Sequence, residues 1–192
     1  MEPNLPLIFE IFGLAVFAVS GALAAFKKDL DIVGVVFVAT FTGIGGGTIR
    51  DVILNRNVFW LHDAYLYSLN ICIVCAVLTY IVSRFMQRRE NIVNWFDAAG
   101  LALFSVQGYM ISQSVVDSGE VAVVMGLFTG CGGGLLRDIA LNRRPFIFRG
   151  ELYATNSIIG LLFLHFTNMP VLAFLMIFAL RAATIKYKWS FK

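Results

Sequence analysis

The sequence predicts an all-α membrane protein of seven transmembrane helices, built as an inverted repeat of two three-helix units plus a seventh helix. Of its 192 residues, 59% are hydrophobic and only 14% are charged, whereas a soluble domain carries about 25% charged residues. The apolar residues form seven segments, most of them near the roughly 20 residues that span a bilayer. A glycine-rich motif occurs twice, and its two copies lie in the second and fifth segments.

The predicted spans follow one another with short connections, so residues 1–192 are expected to form a single transmembrane domain. Lys27-Lys28-Asp29 ends the first span and Arg84 ends the third. Pro170 begins the seventh, because proline is well suited to a first helical turn. The predicted ranges are about 5–26, 32–54, 64–83, 95–115, 121–141, 151–168 and 170–187.

The first three spans repeat as the next three. Residues 10–57 align without a gap to residues 97–144, with roughly 18 of 48 positions identical. Because each unit contains three spans, the second unit must enter the membrane upside down relative to the first, with a pseudo-two-fold axis in the membrane plane. The predicted units are repeat 1 (about 5–85), repeat 2 (about 92–168) and a lone seventh helix (about 169–187).

Basic residues predict the orientation. Arg56 is the only lysine or arginine expected on one side of the membrane. The other side carries the remaining lysines and arginines of the loops and chain end, so by the positive-inside rule it is cytoplasmic. The N-terminus is then outside and the C-terminus is cytoplasmic. The basic residues of the cytoplasmic side are Lys27, Lys28, Arg84, Arg88, Arg89, Arg143, Arg144, Arg149, Lys186, Lys188 and Lys192.

The repeated motif reads FTGIGGGTIRDVILNR at 41–56 and FTGCGGGLLRDIALNR at 128–143. Each glycine costs about 1 kcal/mol relative to alanine in a helix, and a charge at the bilayer centre costs at least about 2.5–3.5 kcal/mol. Because the glycine run and the charged pair are both unfavourable in a membrane helix and both occur twice, the sequence favours a functional site shared by the two segments. The glycines predict breaks in the second and fifth helices, whose freed carbonyls would suit a cation. The alternative is that they only allow close helix crossing.

The candidate site therefore combines glycines, threonine hydroxyls, arginines and aspartates. Neighbouring residues lie about 100° apart on a helix, so we expect pairing across the repeats, Arg50 with Asp138 and Arg137 with Asp51. A purely structural ion-pair cluster is the alternative. The candidate pathway residues are Thr42, Gly45, Gly46, Gly47, Arg50, Asp51, Thr129, Gly132, Gly133, Gly134, Arg137 and Asp138. Secondary candidates, equally compatible with packing or interhelical hydrogen bonds, are Tyr67, Asn70, Tyr153 and Asn156.

Several kinds of chemistry find no support in the sequence. The glycine run is not followed by the Gly-Lys-Ser/Thr of a nucleotide-binding loop. Cys72-x-x-Cys75 has no second cysteine pair or nearby histidine to complete a metal site, which favours helix packing. The sequence shows no arrangement of nucleophile and base. We therefore expect no enzymatic activity, no cofactor, no metal and no nucleic-acid partner.

The doubled G-x-G-G-G-x-x-R-D motif, each copy on the second helix of a three-helix unit, resembles the prokaryotic trimeric intracellular cation (TRIC) channels. The bacterial branch of that family is also described as glycine-transporter-type inner-membrane proteins. The resemblance covers almost the whole chain. It implies a homotrimer in a prokaryotic inner membrane, with one pathway for potassium or another monovalent cation in each protomer. The broken second and fifth helices would line that pathway.

Two other functions remain open on sequence alone. A carrier for a small zwitterion such as glycine would use Arg50 or Arg137 for the carboxylate and Asp51 or Asp138 for the ammonium group. A structural membrane protein without transport activity is the third hypothesis. A channel needs a continuous wet path, whereas a carrier needs gates on both sides of an occluded site.

Overall fold

A computed structural model describes residues 4–61, 66–85, 92–149 and 152–189. Within these residues the secondary structure is entirely helical, and the seven expected helices are confirmed with ends within a few residues of prediction. The helices are α1 (Leu5–Phe26), α2 (Ile32–Ile53), α3 (Tyr67–Phe85), α4 (Ile92–Gln113), α5 (Gly119–Ala140), α6 (Ala154–Thr167) and α7 (Pro170–Tyr187). The predicted starts of the third and sixth spans (64–65 and 151), and Arg88, Arg89 and Lys192, lie outside the described residues.

Five of these helices are long and apolar enough to cross a membrane, namely α1, α2, α3, α5 and α7. Helix α4 has sufficient length but carries polar residues such as Asp97 and Gln107. Helix α6 has 14 residues, which correspond to about 21 Å against a hydrocarbon thickness of about 30 Å. Composition therefore does not mark α4 as a membrane span, and length does not mark α6 as one.

Helices α2 and α5 begin and end in the same way. The side chains of Asp31 and Ser118, which are equivalent in the repeat, accept hydrogen bonds from the first-turn amides of α2 and α5, as N-cap residues do. Asn55 and Asn142 follow the two helices with φ of 50° and 49°. The next amide in each copy bonds back to the carbonyl of the motif aspartate at 2.8 Å. This Schellman arrangement explains why asparagine recurs in both motifs.

These asparagines give a first prediction. Asn142→Ala should lower the free energy of unfolding by about 1 kcal/mol, because alanine disfavours the left-handed conformation that asparagine tolerates. Asn142→Gly should be neutral or slightly stabilising, since glycine adopts this conformation readily. Asn142 is exposed, so neither change disturbs packing. Thermal unfolding of the purified protein compares the two, and equal stability of the alanine and glycine variants would contradict the assignment.

Four helices form the centre of the bundle. Helices α1 and α4 pack together, α2 packs on α1 and α5, and α5 packs on α4. Helix α3 lies against α1 and α2, α6 against α5, and α7 against α4 and α6. Near the start of α1, Glu10 accepts a hydrogen bond from Gln107 near the end of α4. At the other end, Ser20 of α1 and Asp97 of α4 both accept from Arg137. The two repeats are therefore antiparallel, as an inverted repeat requires.

The centre of the repeat is marked by an aromatic pair. Phe17 and Phe104 occupy equivalent positions, and their ring centroids lie 5.3 Å apart. Each ring covers a glycine of the other repeat, Gly100 under Phe17 and Gly13 under Phe104. The outer surface of the bundle is rich in exposed large apolar side chains, including Val33, Phe37 and Phe85 in the first repeat and Phe166 in the second. Such an extended apolar surface suits contact with lipid.

One detail of the expected fold differs. The glycine runs do not break their helices, because α2 and α5 each continue as an α-helix of 22 residues through Gly45–Gly47 and Gly132–Gly134. The glycines lie where the two helices cross, and the tight packing there holds the helical conformation that isolated glycines disfavour. No carbonyls are freed within these two runs.

Candidate functional site

The two glycine runs form the crossing of α2 and α5. A Cβ on Gly46 would overlap the carbonyl oxygen of Thr129, and a Cβ on Gly133 would overlap the carbonyl oxygen of Thr42. A Cβ on Gly132 would lie 3.0 Å from the Cα of Gly46. The two backbones are thus in direct contact, as small residues permit in membrane bundles. This geometry supports the close-crossing alternative for these central glycines.

The other residues of the runs face different neighbours. The missing Cβ of Gly45 points toward the Leu136 side chain, and that of Gly47 toward the Phe59 ring. Gly134 faces polar atoms instead, which are described below. Thr42 and Thr129 are fully buried and donate to carbonyls of their own helices, at 2.6 and 2.7 Å. Their hydroxyls therefore already have acceptors within the protein.

The first site is called the Arg50 cluster and consists of Arg50, Asp51, Phe59, Glu10, Tyr67 and Gln107. Arg50 is 1% exposed. It pairs with its sequence neighbour Asp51, with Nε and Nη2 both 2.8 Å from Oδ1. Asp51 Oδ2 accepts the amide of Phe59 at 3.0 Å. The chain after α2 therefore folds back so that one carboxylate holds both the arginine and the start of the next helical turn.

A chain of hydrogen bonds extends this cluster across the repeats. Arg50 Nη1 donates to Gln107 Oε1 at 2.9 Å, and Gln107 Nε2 donates to Glu10 Oε2 at 3.0 Å. The hydroxyl of Tyr67 donates to Glu10 Oε1 at 2.8 Å. Glu10 is only 7% exposed. Both of its oxygens are thus satisfied, and the glutamine amide links a buried cation to a buried anion.

The second site is called the Arg137 cluster and consists of Arg137, Asp138, Phe146, Asp97, Ser20, Tyr153 and Arg181. Arg137 is fully buried. Its Nε donates to Asp138 Oδ1 at 3.0 Å, and its Nη1 lies 2.6 Å from Asp97 Oδ1 and 2.7 Å from Ser20 Oγ. Asp138 Oδ2 accepts the amide of Phe146 at 3.2 Å. The pattern repeats the Arg50 cluster with equivalent residues, because Asp97 corresponds to Glu10 and Ser20 to Gln107.

Helix α7 adds a charge to this second cluster alone. Arg181 is fully buried. Its guanidinium carbon lies 4.9 Å from the centroid of the Tyr153 ring and 5.7 Å from that of Phe146. The Phe146 ring also lies under Arg137, at 5.1 Å. Contacts of this kind are favourable when they are shielded from water. The seventh helix therefore makes the two clusters chemically different.

The expected pairing across the repeats is wrong. Arg50 pairs with Asp51, and Arg137 pairs with Asp138 and Asp97. Because α2 and α5 cross in opposite directions at their glycines, each arginine lies about one turn beyond the crossing, toward opposite ends of the bundle. Arg50 lies four residues beyond Gly46 and Arg137 four residues beyond Gly133, so the two arginines are about eight helical residues, or about 12 Å, apart along the bundle. This distance is too large for an ion pair between an arginine of one helix and the aspartate of the other.

The secondary candidates fall into different places. Tyr67 and Tyr153 belong to the two clusters. Asn156 is 3% exposed and donates to Thr184 Oγ1 of α7 at 3.0 Å, so it joins two helices. Asn70 is exposed and, with Tyr67, lines a cavity of about 320 Å³ along α3.

Sequence reasoning missed the polar partners supplied by α1, α4 and α7. Glu10 and Asp97 are equivalent acids, and Ser20 and Gln107 are equivalent polar residues, so their recurrence inside apolar spans was the available signal. Arg181 lies inside the apolar helix α7, and a buried charge in such a helix is a functional-site signal by default.

Among the described residues, no group of three or more histidine, cysteine or acidic side chains is placed to hold a metal ion.

Fold and site together define a class: a polytopic membrane protein whose two inverted repeats bury arginine–carboxylate clusters inside an apolar bundle. The sequence profile of the family described as "Glycine transporter" matches residues 7–84 and again residues 94–169. The chain belongs to this family, and the resemblance to TRIC channels noted in the sequence is confirmed by solved structures. The repeated profile match coincides with the two three-helix units.

The solved structures cover nearly the whole chain. A TRIC channel orthologue from Rhodobacter sphaeroides is 34% identical, with a TM-score of 0.88 over 97% of this chain and 100% of that chain. A prokaryotic TRIC channel crystallised in 0.5 M KCl is 28% identical, with a TM-score of 0.90 over 98% of both chains.

Relatives known from sequence are membrane proteins of bacteria. A UPF0126 membrane protein of Vibrio cholerae is 42% identical over 173 residues, which are 89% of this chain and 71% of that protein. The UPF0126 inner membrane protein YadS of Escherichia coli is 40% identical over 153 residues, covering 79% of this chain and 73% of the relative.

Proposed function

We propose that the protein is a homotrimeric channel for monovalent cations, potassium above all, with one pathway in each protomer. It resides in a prokaryotic inner membrane with its N-terminus outside and its C-terminus in the cytoplasm, and lipids surround it. The observation that carries the proposal is the pair of buried arginine–carboxylate clusters on either side of the glycine crossing. Ionisable groups inside a membrane bundle are costly and mark ion pathways. The likeness to TRIC channels supports the same function.

The clusters suggest how a cation passes. The α2 and α5 backbones touch at Gly46 and Gly133, so the pathway runs beside the crossing and along the two clusters rather than between the glycine runs. Carboxylates favour a cation in such a path, and arginines oppose it. An arginine that swings away from its carboxylate therefore opens the path. In this proposal Arg50 and Arg137 act as the gates, and the carboxylates of Asp51 and Asp138 line the route beside them.

A carrier for a small zwitterion is the second candidate. The family description, "Glycine transporter", favours it, and so does the Arg137 cluster, where one arginine donates hydrogen bonds to two carboxylates. Such a cluster offers opposite charges to a carboxylate and an ammonium group. Saturable uptake distinguishes the carrier from the channel.

The test is flux through purified protein in liposomes, with a potassium gradient compared against a glycine gradient. We expect unitary potassium currents. Arg50→Ala should raise the current and Asp138→Ala should lower it, each by several-fold, since one charge near the path contributes about 1 kcal/mol at high effective dielectric. Arg56→Ala is the matched control, because Arg56 is an exposed arginine beyond the end of α2, and its removal should leave the current nearly unchanged.

The other outcomes are equally informative. Saturable glycine uptake without unitary currents would overturn the channel and establish the carrier. Potassium currents that neither Arg50→Ala nor Asp138→Ala changes would keep the channel but remove the clusters from its pathway. A membrane that passes neither solute would favour a structural role.

A further inference from the structure

Three buried polar atoms of the Arg137 cluster have no hydrogen-bond partner among the described residues. They are Asp97 Oδ2, Arg137 Nη2 and the hydroxyl of Tyr153. All three side chains are buried, and Tyr153, the most exposed, is only 2% accessible. Leaving a buried polar atom unsatisfied costs about 1–3 kcal/mol. Three such atoms in one cluster indicate that something else satisfies them.

Two of these atoms, together with the other oxygen of the Asp97 carboxylate, lie around one residue that lacks a side chain. A Cβ on Gly134 would lie 3.0 Å from Asp97 Oδ1, 3.0 Å from the Tyr153 hydroxyl and 3.8 Å from Arg137 Nη2. The first repeat differs at the equivalent place, because the missing Cβ of Gly47 faces the Phe59 ring. The second repeat thus presents polar atoms where the first presents an apolar ring.

The difference follows from side-chain length. In the Arg50 cluster, Glu10 reaches both the Tyr67 hydroxyl and the Gln107 amide. The equivalent residues in the Arg137 cluster are Asp97 and Ser20. Aspartate has one methylene group less than glutamate, and serine lacks the whole side-chain amide of glutamine. The shorter side chains leave Tyr153 and Asp97 without the direct bond that joins Tyr67 to Glu10.

The chemistry of the three atoms selects the ligand. Arg137 Nη2 can only donate, Asp97 Oδ2 accepts, and the Tyr153 hydroxyl does either. Among the described residues, Arg137 and Arg181 contribute two positive charges and Asp97 and Asp138 contribute two negative charges, so these four side chains give no excess charge to attract an ion. A small neutral molecule with both donors and acceptors fits, and buried polar sites of this kind hold ordered water.

We propose that Asp97, Arg137 and Tyr153 bind buried water beside Gly134, so that the Arg137 cluster is hydrated while the Arg50 cluster is closed by direct side-chain bonds. Under the proposed channel function, this water lies beside the Arg137 gate, and with the predicted orientation that gate is at the cytoplasmic end of the bundle.

Hydroxyl-radical labelling by short X-ray pulses, read by mass spectrometry, tests the water site in the intact protein. Water bound beside a buried side chain is split in place and oxidises that side chain. We expect oxidation of Tyr153 in spite of its burial. Tyr109 is the control, because it is fully buried and its hydroxyl lies 3.1 Å from His165 Nδ1, and it should remain unmodified. Tyr153 oxidised no faster than Tyr109 would overturn the proposal.

Two variants test the cause. Asp97→Glu with Ser20→Gln gives the second cluster the side chains of the first, and Tyr153 oxidation should fall to the level of Tyr109. Gly134→Ala places a methyl group among the polar atoms and should have the same effect with a smaller change to the protein. Undiminished Tyr153 oxidation in a folded Gly134→Ala variant would overturn the site. The labelling requires no ion flux, so failure of the channel function leaves this result readable.

Discussion

Gly46→Ala is expected to destabilise the protein strongly, although alanine is the better helix former. The new methyl group would overlap the carbonyl oxygen of Thr129, which belongs to the backbone of α5 and cannot rotate away. The two central helices must then separate. Overpacking of this kind costs about 1–3 kcal/mol or more, and we expect a lower midpoint of thermal unfolding and a loss of folded protein.

Gly45→Ala is the matched control, since it makes the same change one residue earlier. Its methyl group would meet Leu136 Cδ1 at 2.5 Å, the far end of a flexible side chain that can move. The gain of about 1 kcal/mol in helix propensity should therefore offset most of the cost. Gly133→Ala should match Gly46→Ala, because it would meet the carbonyl of Thr42. Equal stability of the Gly45 and Gly46 variants would show that the crossing is looser than the structure indicates.

Removal of Arg137 should have the largest effect of any single charge. Arg137→Met keeps an unbranched side chain but leaves the buried carboxylates of Asp97 and Asp138 without the guanidinium that holds both. Breaking a buried pair by removing one partner costs about 3–5 kcal/mol. We expect little folded protein after purification and a strongly lowered midpoint of thermal unfolding.

A second substitution separates charge from packing. Asp97→Asn in the Arg137→Met background removes one of the stranded charges and should recover a clear part of the lost stability. Arg50→Met is the companion variant in the other repeat, and its effect should be smaller because Glu10 keeps its bonds from Tyr67 and Gln107. If Asp97→Asn lowers the stability of Arg137→Met further, the cost does not arise from uncompensated charge.

The fold was predictable because its signals are local and repeated. The succession of apolar segments predicted the seven helices, although two of them are too short or too polar to be marked as spans by length and composition alone. The odd number of spans in each unit predicted the inversion. The doubled Arg-Asp motif identified the chemically important positions Arg50 and Arg137. Even the helix ends were encoded, since Asn55 and Asn142 supply the left-handed conformation that stops α2 and α5.

The pairing of the charges could not be obtained in the same way. Adjacent side chains diverge on an ideal helix, but Asp51 and Asp138 also bind the amides of Phe59 and Phe146, and that fold-back depends on the loop after each helix. The expectation that glycine runs break helices failed for a related reason. Propensity acts locally, whereas the contact between α2 and α5 is tertiary and outweighs it.

The hydrogen bond between Arg50 and Gln107 joins residues that are 57 positions apart in the chain. At about 5–20 residues per second, ribosomal synthesis delivers Gln107 roughly 3–11 s after Arg50. Arg137, in contrast, is synthesised after its partners Ser20 and Asp97, so both partners already exist when Arg137 enters the bilayer. During the interval on the ribosome, Asp51 is the neighbour that accompanies Arg50 from the moment of translation. The adjacent aspartate thus gives the nascent chain a counter-ion for its first buried arginine before the second half of the protein exists.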